Sequence, residues 1–174
     1  MIAEFVKAWD NNRKALKDWI AQQDQSQLSY KTILEALITK VINPTTENKW
    51  NASKITEIDD GDYQGCQIFI IPLENYSPGP YEYFVTYQYY GSCSGCDLLE
   101  GIREYQDGKP SRAQIHEYMT LALHLLQRCK YLFEDNEETE VGPFDTIRLF
   151  TDINLIQELR RRGYEVTAEK TIKL

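Results

Sequence analysis

Over the first forty positions the apolar residues return at three- and four-residue steps, the spacing of a helix with one apolar face. From Ile2 to about Gln22 these are Ile2, Phe5, Val6, Trp9, Leu16, Trp19 and Ile20, with Glu4, Lys7, Asn11, Lys14 and Asp18 opposite them. The tryptophans are expected to pack inward. After a polar break over 22–27, Ser29 stands at a cap position ahead of a second helix, Tyr30 to Ile42, that lines up Ile33, Leu34, Leu37, Ile38 and Val41. Asn43-Pro44 ends it, because the residue before a proline is pushed out of the helical region. The pair predicts a helical hairpin.

Beyond Thr45 the period becomes two. A polar loop to Ala52 carries Trp50, Lys54 to Ile58 alternates as a short strand, and Asp59-Asp60-Gly61-Asp62 turns the chain. Cys66 to Pro72 is a strand with apolar residues on both faces, and Ser77-Pro78-Gly79-Pro80 marks the next turn. A tyrosine-rich strand follows from Tyr81, with Tyr83, Val85, Tyr87 and Tyr89 on one face and Phe84, Thr86, Gln88 and Tyr90 on the other. Bulk on both faces predicts an inner strand of an antiparallel meander.

If the connection centres near Ser77, Cys66 pairs with about Gln88 and the position opposite Cys93 falls near Gly61. This register sets the acidic turn beside the segment Gly91-Ser92-Cys93-Ser94-Gly95-Cys96-Asp97 and holds Cys66 about 17 Å of strand away from Cys93. Ser92 or Ser94 is expected to cap a helix that starts near Asp97 and runs through Leu98, Leu99, Ile102 and Tyr105. A thiol at such a helix start would be acidified by unpaired amides.

Ser111 caps the longest predicted helix, Arg112 to about Glu134, with Ile115, Met119, Ala122, Leu126, Cys129 and Phe133 on its inner stripe. Asp135 to Glu140 is an acidic run, and Phe144 to Phe150 reads as a strand or a helix start. Asp152 then caps a helix ending in Arg160, Arg161, Arg162 and Gly163, and Tyr164 to Ile172 resembles a terminal strand. The expectation is a single α+β domain over 1–174. Its central antiparallel meander of about three strands, open to extension by C-terminal strands, packs against the N-terminal hairpin and the long central helix.

Charge narrows the function classes. With 27 acidic and 19 basic residues the net charge is −8, which disfavours nucleic acid and anionic membranes and suits a basic partner. The longest apolar run, Ile68 to Ile71, is too short to span a bilayer, and the N-terminus shows no secretion signal, so a cytoplasmic setting with reduced thiols is expected.

Cys93 and Cys96 admit three readings: two small thiols in a tight turn, half of a zinc site, or a redox pair. Zinc needs two further ligands, for which Cys129, Asp97 or a carboxylate of the acidic turn are the candidates. A thioredoxin-like oxidoreductase would use Cys93 to attack and Cys96 to resolve, with Pro143 near the pair, yet the meander departs from the β-α-β unit of that fold. Asp59, Asp60 and Asp62 lack the alternation and distal glutamate of a calcium loop. His116 and His124 stand about 12 Å apart along a helix, too far to chelate together. No phosphate loop, nucleophile elbow, HExxH or dinucleotide fingerprint is present, so an enzyme would need an unfamiliar constellation.

Gly61-Asp62-Tyr63-Gln64-Gly65 followed by Ile68-Phe69-Ile70-Ile71-Pro72, together with Tyr89-Tyr90-Gly91-Ser92-Cys93-Ser94-Gly95-Cys96-Asp97, resembles an uncharacterised group of small phage and prophage proteins. The likeness extends from about Ile58 to Cys129. It implies a bacterial or phage-infected cell and an accessory protein acting on a host or phage protein, and it carries over no catalytic residue. The expected binding surface is Asp59, Asp60, Asp62, Tyr63, Tyr90 and Asp97 around the two cysteines. An acidic decoy for a nucleic-acid-binding protein is a weaker rival.

Overall fold

The computed structural model describes residues 2–132 apart from 60, 76, 80 and 81. Asp60, Tyr81, the acidic run, Pro143 and every element expected after Leu132 therefore lie outside the described residues. Within them the architecture is α+β, with helices packed on a four-stranded antiparallel sheet of order β1-β2-β3-β4. The strands are β1 (Thr56–Asp59), β2 (Gly65–Pro72), β3 (Tyr83–Tyr90) and β4 (Lys130–Tyr131).

Helix α1 (Ile2–Ile20) buries Phe5, Ala8, Leu16 and Ile20 and leaves Trp9 and Trp19 half-buried against the core. Val6, expected on the apolar face, is exposed, and Ala8 takes the inward position instead. Helix α2 (Tyr30–Leu37) begins at a reciprocal capping box in which Ser29 Oγ accepts from the Thr32 amide and Thr32 Oγ1 accepts from the Ser29 amide. The predicted apolar face is fully buried, but the last turn widens into a π-helix over Ile38–Ile42. Asn43 N–H consequently reaches back five residues to Ile38 at 2.9 Å.

This widened turn serves the next segment. Asn43 Nδ2 donates to the Trp50 carbonyl at 2.9 Å, and Trp50 N–H donates to Asn43 Oδ1 at 2.8 Å. The loop so clamped runs beside the end of β2 through a Trp50–Leu73 bridge. It drives the Trp50 indole into the core, stacked on Phe84 with ring centres 4.0 Å apart and edge-on to Phe5 at 5.4 Å.

In the sheet, Phe69, Ile71 and Phe84 on one face join the helical core, while Cys66, Ile68, Ile70 and Val85 on the other face are buried as well. The expectation of bulk on both faces of an inner pair thus holds. The register does not: Cys66 pairs with Tyr89, and Gln67 pairs with Gln88. The predicted alignment slipped by one residue because it centred the connection on Ser77, whereas the observed pairs centre between Ser77 and Pro78.

Helix α4 (Arg112–Gln127) starts at a second capping box, Ser111 with Gln114, and buries Tyr118, Leu121, Ala122, Leu125 and Leu126. It stops well before Glu134. Arg128 ends the helix by bonding to Gln88 Oε1 and lying over the Tyr87 ring at 5.4 Å, and the chain then turns into β4 beside Phe84 and Val85. Thr86 Oγ1 donates to the Leu125 carbonyl at 2.7 Å, fastening α4 to β3 within the core. Among the described residues no helix is long and apolar enough to cross a membrane.

Candidate functional site

The end of β3 carries the two features singled out by the residues. Tyr90, the last residue of that strand, places its hydroxyl 2.6 Å from Asp59 Oδ1 and 2.7 Å from the Gly61 carbonyl. Asp59 Oδ2 accepts from Gln67 Nε2 at 3.2 Å, so the first acidic residue of the turn is held from two strands. Asp62 and Tyr63 project from the turn, Tyr63 with 82% of its surface exposed. Directly after Tyr90 comes Gly91, on which the cysteine turn rests. The acidic turn and the cysteine turn therefore share one end of the sheet.

The cysteine turn is closed by its own backbone. The Cys93 carbonyl accepts from the amides of Cys96 at 2.9 Å and Asp97 at 2.8 Å. Two glycines make room for it. A Cβ on Gly91 would lie 2.5 Å from Cys96 Sγ, and one on Gly101 would lie 2.8 Å from the Ser94 carbonyl oxygen. Neither position admits a side chain without displacing the turn.

Asp97, not Ser92 or Ser94, caps the short helix α3 (Leu98–Arg103), accepting from the amides of Leu99 and Glu100. A carboxylate two and three residues ahead of free amides outcompetes the more distant serines. Asp97 Oδ1 also accepts from the Tyr30 hydroxyl at 2.8 Å, and that hydroxyl in turn accepts from Leu99 N–H at 3.0 Å. Burial raises the Tyr30 pKa, so its proton stays in place to serve this bond. Asp97 is only 8% exposed and must be removed from the expected binding surface: it is the footing of the turn.

Helix α3 ends early. Glu104 and Tyr105 both take left-handed backbone angles, at φ 52° and 56°, a conformation that costs non-glycine residues of order 1–3 kcal/mol each. The reversal turns Tyr105 back, and its hydroxyl accepts from Ser94 N–H at 3.2 Å while the ring stays 71% exposed. The helical period puts Tyr105 on the apolar face of α3, whereas it lies beyond the helix and acts as a strut for the turn. The aromatic period carries no sign of a left-handed reversal in residues other than glycine.

Cys93 and Cys96 are both exposed free thiols, with sulfurs 2.7 Å apart, beyond the covalent length of about 2.05 Å. Cys96 is the inner one: its sulfur accepts from Cys93 N–H at 3.2 Å and lies against Gly91. The Cys93 thiol is held below its ordinary pKa, first by its contact with the Cys96 thiol and then by the Gly95 amide. This replaces the expected helix-dipole effect, since α3 is six residues long and starts beyond both cysteines.

The remaining thiols differ. Cys66 and Cys129 are buried, and burial pushes the Cys129 thiol up to about 12. A thiolate is the reacting species, so alkylation by iodoacetamide in the native state should begin at Cys93 at lower pH than for a free thiol. Cys129 should stay unmodified through pH 9, because its proton is retained until far higher pH. Peptide mapping after timed quenching checks the order, and equal labelling of the two would contradict it.

Among the described residues no three His, Cys, Asp or Glu side chains converge as metal ligands. Among the described residues, then, neither Asp59, Asp62, Asp97 nor Cys129 joins the two sulfurs in a tetrahedral site. The described sheet contains only antiparallel pairs, unlike the β-α-β unit of thioredoxin-like folds.

Comparison with known proteins adds no homologue to this geometry. No family model, curated protein or solved structure matches the chain.

Proposed function

We infer that this chain is a phage- or prophage-type accessory protein of the bacterial cytoplasm that acts by binding a basic host or phage protein. Its contact surface would be the sheet end formed by Asp59, Asp62 and Tyr63 with the exposed cysteine turn. The observation carrying this reading is the Tyr90 hydroxyl, which ties Asp59 and Gly61 to the strand that leads straight into Gly91. Held this way, the Asp59 carboxylate has little ordering left to undergo on association, which lowers the entropic cost of binding.

The net charge of −8 favours a partner of opposite sign and speeds its approach. The resemblance of the Gly61–Gly65 and Tyr89–Asp97 strings to phage and prophage proteins points to the same cellular setting.

Immobilised chain should retain a basic protein from bacterial lysate at low salt and release it as salt rises. The double variant Asp59→Asn, Asp62→Asn should bind that protein about tenfold more weakly while unfolding at the same denaturant concentration. Asparagine at 59 keeps an oxygen for the Tyr90 hydroxyl, so the turn survives. Retention that ignores both the substitutions and the salt would sink the reading.

A further inference from the structure

The geometry points to a second activity at the same end of the sheet: Cys93 and Cys96 form a dithiol that reduces solvent-exposed disulfides, with Cys93 attacking and Cys96 resolving. This goes beyond binding and does not depend on the identity of the partner.

The division of roles follows from placement. Both sulfurs are exposed, and at 2.7 Å from each other they need almost no backbone movement to join. Cys96 Sγ is fixed from behind by Gly91 and by the Cys93 amide, so an incoming disulfide meets Cys93 first. The thiol held at lower pKa is the outer one, as an attacking group requires. The turn carrying them is braced on three sides, by Gly101 under the Ser94 carbonyl, by the Tyr105 hydroxyl on the Ser94 amide, and by Asp97 on Tyr30. A thiol pair acting only as small apolar filler has no use for that bracing, since filler cysteines lie buried as Cys66 and Cys129 do.

The exchange balances without a cofactor. Cys93 thiolate forms a bond to one sulfur of the substrate, whose S–S bond breaks and releases one thiolate. Cys96 thiolate then attacks Cys93 Sγ, forming the internal disulfide and expelling the second substrate sulfur. The chain loses two electrons and two protons, and the substrate leaves as two thiols.

The test uses the reduced full chain with bis(2-hydroxyethyl) disulfide, quenched in acid and read by intact mass and peptide mapping. Wild type should pass to an internal Cys93–Cys96 disulfide with no adduct accumulating. Cys96→Ser should stop at a mixed disulfide on Cys93 that lasts about 100-fold longer, because its intramolecular competitor is gone. Cys93→Ser should form its adduct at Cys96 about tenfold more slowly. Serine is close to cysteine in size, and far-UV circular dichroism verifies that each variant is folded. A wild-type adduct as persistent as that of Cys96→Ser would overturn the proposal, and so would equal rates at the two single thiols.

Discussion

Replacing Trp50 by alanine should cost the fold about 3–5 kcal/mol, the range for truncating a large buried aromatic. The indole is 4% exposed, stacks on Phe84 from β3 and meets Phe5 from α1 edge-on, so its removal opens a void where the loop, the sheet and the first helix converge. The backbone around it cannot simply collapse inward. Asn43 binds both the Trp50 amide and carbonyl, and Asn51 N–H donates to the Pro72 carbonyl at 2.8 Å, which fixes the loop on either side of the missing ring. Urea unfolding should show a lower midpoint with an unchanged slope, and a loss under 1 kcal/mol would mean that the three elements do not depend on this ring.

Asp97→Ala should be the second most damaging change, at about 1.5–5 kcal/mol, by adding two separate losses. Removing a carboxylate cap costs about 0.5–2 kcal/mol. The Tyr30 hydroxyl then keeps a buried proton with no acceptor, worth a further 1–3 kcal/mol or so. Asp97→Asn retains an oxygen for both duties and should recover most of the loss, while Tyr30→Phe should make the alanine change at 97 less costly by removing the stranded donor. Chemical unfolding of the four proteins as a double-mutant cycle reads this directly, and strict additivity would refute the coupling.

The helices and strands were legible because their signals are local. Ser29 and Ser111 sit at their caps with Thr32 and Gln114 three residues on, and the buried faces of α2 and β2 follow their periods. What escaped the sequence was decided by contacts between distant segments. The end of α4 is set by Arg128 finding Gln88 across the sheet, against a helical period that continues through Phe133. The register slipped because a proline-rich connection says little about its own centre, and one residue of error exchanges every partner in the ladder.

At the site, the nearness of acidic turn and cysteine turn was legible from strand order alone. The meaning of Asp97 was not, because its acceptor role is shared with Tyr30, 67 positions earlier in the chain. The glycines at 91 and 101 were equally silent: their importance lies in atoms of other residues that occupy the space a Cβ would take.

Ser94 is fastened through its amide to Tyr105 and through its carbonyl over Gly101, so its grip on the body of the protein uses main-chain atoms alone. The side chain of Ser94 can thus be exchanged while the scaffold beneath keeps its shape. Relatives of this chain would diverge sooner at Ser94 than at Gly91, Asp97 and Gly101.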